Sequence, residues 1–215
     1  MIDLHTHTLL SDGELLPSEM VRRAHVAGYT AIALTDHVGT SNIDFVLPRL
    51  VRVSKQLNKY WDILVLPGVE ITHAPLEQLK PLVRYARKHR AKVVIGHGET
   101  VSEPVIPGTN RAAIEAGVDI LAHPGLISRD DIKLAVRKKV LLEITTRKSH
   151  RRPNKRLVRL GLPLGAKFVL DTDSHSEKDF VSDKKARSFL KGLGLGKSQV
   201  SKILGNSADF IKKCA

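Results

Sequence analysis

Ten histidines and a set of carboxylates are the residues in this sequence best able to do chemistry, and their spacing is not scattered. His5 and His7 stand two apart, with Asp12 close behind. Residues two apart on a strand project to the same face, so both imidazoles can meet one point. Asp36-His37, Glu70, His97-Gly98-Glu99, His123-Pro124 and Asp173-Ser174-His175 repeat the theme along the chain. Imidazole mixed with carboxylate is a donor set for Zn²⁺, Mn²⁺ or Fe. Nine residues (His5, His7, Asp12, His37, Glu70, His97, His123, Asp173 and His175) are too many for one ion and enough for two or three. Glu70 is the best placed to bridge two of them.

The elements that must position these groups read as alternating strands and helices. Strands are expected at 2–5, 31–35, 63–66, 92–96, 119–122, 141–145 and 168–171. Helices are expected at 18–27, 42–60, 76–90, 110–116, 128–138, 154–160, 183–190 and 198–212. Ser18, Asn42, Ser128 and Ser198 are the expected N-caps, and Gly28, Gly117 and Gly161 the expected stops. Strand-helix repeats imply a parallel sheet with helices outside. Closed on itself, this is a distorted (β/α)7 barrel, resembling a TIM barrel with seven repeats, and 1–215 is expected to be one domain. An open doubly wound sheet is the other arrangement such a pattern allows. In such barrels functional residues gather at the C-terminal ends of the strands, and six of the ten histidines fall there.

The composition narrows the partners. Lys and Arg total 35 against 22 Asp and Glu, a net charge of +13, which favours anionic partners or simply a heavily charged surface. Aromatics are 4% of the chain, little material for base-stacking platforms. No apolar run is long enough for a membrane span. Cys214 is the only cysteine, so no intrachain disulfide forms. A strand beginning at Ile2 leaves no room for a signal peptide, and a cytoplasmic protein is expected. No glycine-rich Walker or dinucleotide loop is present.

The ordered set His5-Thr6-His7, Ser11-Asp12-Gly13, Thr35-Asp36-His37, Gly68-Val69-Glu70, Gly96-His97-Gly98, Ala122-His123-Pro124 and Asp173-Ser174-His175 resembles the PHP family, the polymerase and histidinol phosphatase domain. Within it the chain is most similar to stand-alone histidinol-phosphatase-like members. The resemblance implies a metal cluster, often trinuclear, at the strand ends. One ion would take His5, His7, Glu70 and Asp173, a second Glu70, His97 and His123, and a third Asp12, His37 and His175. Some members carry histidine in place of Asp12, which makes the third position the one most open to change. The implied activity is hydrolysis of small phosphate monoesters by metal-activated water, with Glu70, Asp173 and His175 at the catalytic centre. A nuclease or nucleotide phosphatase acting on nucleic-acid ends, and a non-catalytic RNA-binding barrel, are the alternatives.

Several residues near the motifs read differently. Asp36 is expected to cap a loop or support a ligand, Asp171 to be structural, and Glu99 to be solvated or supporting. His25 and His89 read as ordinary helix histidines, and His73 as a residue that could touch the site. Strand six ends in Glu143 and lacks a ligand of the recurring kind, but the basic run Arg147 to Arg152 follows it. Arg147 and His150 are the expected substrate contacts, an arginine fork being suited to a terminal phosphate.

Overall fold

The computed structural model describes residues 1–214. Its elements alternate as β1 (Ile2–Asp3), α1 (Pro17–Val26), β2 (Ala31–Leu34), β3 (His37–Val38), α2 (Ile43–Tyr60), β4 (Leu64–Ile71), α3 (Leu76–Lys88), β5 (Val93–His97), α4 (Thr109–Ala116), β6 (Ile120–Ala122), α5 (Arg129–Lys138), β7 (Leu141–Thr145), α6 (Asn154–Gly161) and β8 (Phe168–Asp171). A 3-10 turn (Glu177–Asp179) and the helices α7 (Asp183–Gly192) and α8 (Lys197–Cys214) complete the described chain. No helix among the described residues is long and apolar enough to cross a membrane.

The strands form a nearly closed parallel barrel of seven staves. β2 and β3 are one stave with a gap, because Ala31 pairs with Leu64 and His37 with Glu70 in a constant register. The remaining order, β4-β5-β6-β7-β8, follows the sequence. At the seam, carboxylates replace part of the strand ladder. Leu4 N donates to Asp171 Oδ1 at 2.8 Å, and Thr172 N donates to Asp3 Oδ1 at 3.2 Å. Above them Thr6 bridges Ser174, and His7 N donates to Ser174 O at 2.8 Å. Burial pushes both seam carboxyls up, Asp3 to about 6 and Asp171 well above its ordinary range. Asp171 is thus structural, as its place in the sequence implied.

Two apolar layers follow from strand alternation. Ala33, Leu66, Val93, Ile95, Ile120, Leu141 and Val169 fill the barrel interior, with Phe210 and Ile211 of α8 packed against that layer. The opposite strand faces and the helices bury the larger layer, including Ile32, Leu34, Val65, Val94, Leu121, Leu142 and Leu170. Continuing the inward parity up each strand reaches His37 from Ala33, Glu70 from Leu66, His97 from Ile95, Glu143 from Leu141 and Asp173 from Val169. The fold therefore aims these side chains at the barrel mouth with no special device.

Element ends show where local signals were overruled. α1 starts on Pro17, which suits the first helical position, and Ser18 makes no cap. Asn42 does sit at the cap of α2, but its side chain bonds back to Gly39 N and His37 O rather than to the helix. Ser128 caps α5 as expected, accepting from Asp131 N. Ser198 lies inside α8. Gly28 and Gly117 take φ of +85° past their helices, whereas Gly161 remains helical, its missing Cβ making room for Phe168. β4 runs to Ile71 rather than ending at Leu66, so Glu70 is a strand residue with strand-like rigidity.

Gly68 sets the spacing beneath Glu70. A Cβ there would lie 2.6 Å from Val93 O and 2.8 Å from Thr35 Cγ2, on the two flanking staves. Gly68→Ala should cost about 1–3 kcal/mol through overpacking. The check is a lowered denaturant midpoint at unchanged slope; a midpoint equal to wild type would mean the sheet spreads freely at this point.

Candidate metal centre

All nine expected ligands converge at the mouth of the barrel. Glu70 is fully buried at the centre, and nitrogens of His5, His7, His37 and His123 face its carboxylate at 3.3, 3.6, 2.8 and 3.4 Å. Neither oxygen of Glu70 accepts a hydrogen bond among the described residues. A buried carboxylate left in this way is costly unless a cation compensates it. Burial pushes its carboxyl up, but the charges of His5, His37 and His97 outweigh that and hold it well below the ordinary range.

Several groups of donor atoms surround this centre, and three of them take in all nine expected ligands. His5, His7 and Asp173 form the first. His7 Nε2 lies 3.0 Å from His5 Nε2 and 3.2 Å from Asp173 Oδ1. Glu70, His97 and His123 form the second. His7, Asp12, His37 and His175 form the third, with Asp12 Oδ2 3.6 Å from His37 Nε2 and 3.2 Å from His175 Nε2. His7 therefore faces both outer groups, and Asp12, 56% exposed at its side chain, is the most open member. These spacings suit donors that share an ion, and the donor chemistry suits a divalent transition metal.

The protonation pattern agrees. Burial, then the charge of His37, lowers His7 to about 3, the neutral form a metal needs. Burial would push Asp173 up, but His5 and then His7 hold it strongly down. Burial would lower His5, but Glu70, Glu143 and Asp173 raise it well above its ordinary range. The carboxylates that draw a proton onto His5 would equally draw a metal cation.

Supporting contacts lock the rings. Glu143, fully buried, takes His5 Nδ1 at 2.7 Å and His123 N at 2.7 Å. β7, the sixth strand expected from the sequence, thus contributes none of the nine expected ligands, yet supplies the carboxylate that orients two of them, a carboxylate–histidine support typical of metal sites. Asp36 accepts from Thr8 N and Ser11 Oγ, each at 2.8 Å, and so shapes the loop that carries Asp12. Glu99 accepts from Gly108 N and Asn110 N at the start of α4 and is not part of the cluster. His123 and Asp173 hold φ of +27° and +53°, conformations uncommon outside glycine and found preferentially at functional sites.

The expected substrate contacts also lie at the mouth. His150 is buried, stacks on His123 with centroids 4.5 Å apart, and fixes Nδ1 on Thr100 Oγ1 and Ser102 Oγ, both at 2.7 Å. Its Nε2 faces Glu103 Oε1 at 3.3 Å and Asp173 Oδ2 at 3.8 Å. Burial, then His123, lowers His150 to about 4. Arg147 Nη1 donates to Asp173 O at 2.9 Å, so the arginine braces the ligand loop as well as facing the mouth. Beside His175 opens a cleft of about 690 Å³ lined by Arg147, Lys148, Arg151, Lys178 and Lys185. Glu103 is the residue that the sequence did not signal: it lies in an irregular loop with no periodicity, yet its Oε2 is 3.2 Å from His97 Nε2.

Comparison with known proteins agrees with this geometry. The PHP domain model matches residues 3–111. An uncharacterized protein of Methanocaldococcus jannaschii is 40% identical over 207 residues, covering 95% of this chain and 93% of that protein. The 5'-3' exoribonuclease Rnm of Escherichia coli is 39% identical over 145 residues, covering 59% of this chain but only 45% of that protein. Among solved structures, a chain of archaeal ribonuclease P with mature tRNA superposes with a TM-score of 0.75 at 18% identity, over 100% of this chain and 91% of that one. A provisionally assigned histidinol phosphatase from Listeria monocytogenes gives 0.61 at 14% identity, over 86% and 99%. Both structural likenesses are of fold. With the family match spanning residues 3–111 and a 40% identical relative along nearly its whole length, the chain belongs to the PHP domain family.

Proposed function

We propose that this protein is a metal-dependent phosphoesterase that hydrolyses small phosphate monoesters, in the manner of histidinol phosphate phosphatases, with two to three Zn²⁺, Mn²⁺ or Fe ions. The observation that carries the reading is the buried Glu70 carboxylate, without hydrogen bonds among the described residues and ringed by imidazoles, with a basic cleft opening beside His175. Glu70, Asp173 and His175 are the central catalytic ligands. His5, His7, Glu70 and Asp173 would hold one ion, Glu70, His97 and His123 a second, and Asp12, His37 and His175 a third, with His7 facing that third position too. Bound divalent ions would supply Lewis acidity toward the phosphate and a water acidic enough to attack at neutral pH.

The chain's own residues then do the rest. Glu143 keeps His5 and the His123 backbone fixed as charge develops. His150, neutral and pinned through Nδ1, presents Nε2 to the mouth, where it can bond a phosphoryl oxygen. Arg147 offers a charged fork to the same group. The deep placement of Glu70 and His5, both fully buried, keeps bulk water from the centre.

A second reading has its own support. The cleft beside His175 carries five cations and has room for more than one phosphate, and one relative is an exoribonuclease. An activity on 5' or 3' ends of short nucleic acids fits that cleft, although aromatic platforms are scarce. A purely RNA-binding barrel gains from the fold of the ribonuclease P chain but leaves the complete ligand set without a use.

The first prediction concerns the metal centre. Protein purified with Mn²⁺ or Zn²⁺ should retain two to three ions per chain by elemental analysis. Glu70→Gln should lose metal and nearly all activity, Glu143→Gln should weaken metal affinity about 10- to 100-fold, and Asp36→Asn should keep most of its metal. Full metal content in Glu70→Gln would remove the bridging role.

The second prediction concerns substrate. On a panel of histidinol phosphate, mononucleotides and short 5'-phosphorylated oligonucleotides, the monoesters should turn over fastest. Arg147→Ala should lower kcat/KM for monoesters about 10- to 100-fold, the loss of a charge-assisted contact of about 1.5–3 kcal/mol, at unchanged metal content. Faster cleavage of oligonucleotides than of any monoester would favour the nuclease. A fall in metal content would assign Arg147 to bracing Asp173 instead.

A further inference from the structure

At the edge of the three groups lies a further set of donors, in which His97 is joined by two residues, His73 and Glu103, that none of those assignments uses. Glu103, in the loop between β5 and α4, places Oε2 3.2 Å from His97 Nε2 and 3.3 Å from His73 Nε2. Three donors around one tetrahedral ion stand about 3.3–3.5 Å apart when the bonds are about 2.0–2.1 Å. Both distances from Glu103 therefore suit a shared ion, and the donor atoms of His73 and His97 lie within 4.8 Å of each other. His73 follows β4 in a left-handed conformation, φ +49°, which turns it out of the strand direction toward this point, and its ring lies 5.1 Å from that of His97.

His97 has only one nitrogen to give. Its Nδ1 lies 3.1 Å from Gly98 O, so Nε2 alone serves metals. The inner group (Glu70, His97, His123) and this outer group (His73, His97, Glu103) thus draw on the same lone pair. They are two positions for one ion, not two sites that fill together. The inner position is buried on every member, and the outer one sits at the rim, with His73 43% and Glu103 33% exposed. An ion on its way in or out must shed water while keeping its charge compensated, and a rim carboxylate with an imidazole provides that partial shell.

We propose that His73 and Glu103 form a transfer position at the rim, through which the ion held by Glu70, His97 and His123 is loaded and released by exchange around His97. The inference rests on the metal-centre reading. Because a transfer position is not the resting position, its loss should slow loading and release alike and leave the final occupancy unchanged. A true ligand of the resting ion would behave in the opposite way.

The test uses the full chain and Zn²⁺ alone. Chelator-stripped protein is mixed with Zn²⁺, and loaded protein with a chromogenic chelator, and both time courses are followed. Glu103→Gln removes charge at constant size, and His73→Asn keeps a residue tolerant of φ +49°. Each variant should slow uptake and release of one ion about tenfold, the lower end of what supporting residues do for metal sites, with bound Zn²⁺ per chain unchanged. Faster release with one ion fewer would make them ordinary ligands and overturn the transfer role. Unchanged rates would reduce the contact to a loop salt bridge and overturn it too. Those two outcomes leave the metal centre standing. Folded wild-type protein that takes up no Zn²⁺, Mn²⁺ or Fe would instead remove the metal-centre reading itself, and the transfer role with it.

Discussion

The arrangement depends on one buried charge. Glu70 sits with no exposed surface and, among the described residues, no hydrogen bond to either oxygen, and four imidazoles face it within 3.6 Å. Such a carboxylate is tolerated only beside positive charge, which the surrounding imidazoles can carry or a bound cation can supply. His5 is drawn toward its protonated form by Glu70, Glu143 and Asp173, against the opposing effect of burial. A divalent ion in the same place would relieve all three carboxylates at once and free His5 to be a neutral ligand. Metal binding and the packing of the barrel mouth are in this sense one interaction.

The barrel delivers these groups through the two-residue alternation of its strands. Where alternation alone suffices, at His37, Glu70, His97 and Glu143, the backbone is regular. His123, one residue past the inward-facing Ala122, is off the alternation and takes positive φ; Asp173 keeps the inward parity of Val169 and also takes positive φ beyond the end of β8. Gly98 lets β5 and β6 approach so closely that a Cβ would come within 2.2 Å of Ala122 O. At the barrel mouth these positive-φ residues lie beyond the strand ends, where the ladder already stops, and the interior layer of Leu66, Ile95 and Val169 keeps regular strand backbone.

Much of this was legible in the chain itself. The nine residues that converge at the mouth could be picked out because a histidine or acid at the end of an apolar strand is a rare coincidence once, and a pattern when repeated. Helix limits agreed to within about two residues, since Gly28 and Gly117 end helices through local φ preferences. What could not be read was long-range. The extension of β4 through Pro67-Gly68 depends on pairing with β2 below and β5 above, and Pro67 alone argues for an end. Glu143 was visible as an acid in an apolar strand, but its role follows from which stave faces His5 across the barrel. Glu103 carries no sequence signal at all, because a loop has no period from which to infer direction.

The net charge is a weaker guide to substrate than it first looks. Five cations line the cleft beside His175, but six others, Arg87, Lys92, Lys138, Lys139, Lys167 and Lys213, line a groove of about 730 Å³ at the opposite end of the barrel. Charge spread over both ends raises the potential everywhere and steers anions to the protein without directing them to the metals. Screening over about 8–10 Å at ordinary ionic strength further separates the two ends. Selection of a phosphate ester must therefore come from short-range contacts at the mouth, where His150 is fixed by two hydroxyls and Arg147 shares its fork with Asp173. Because that arginine already holds the Asp173 carbonyl, a phosphate that engaged it would pull on the same backbone, and the proposed substrate contact and the proposed metal ligand would be coupled.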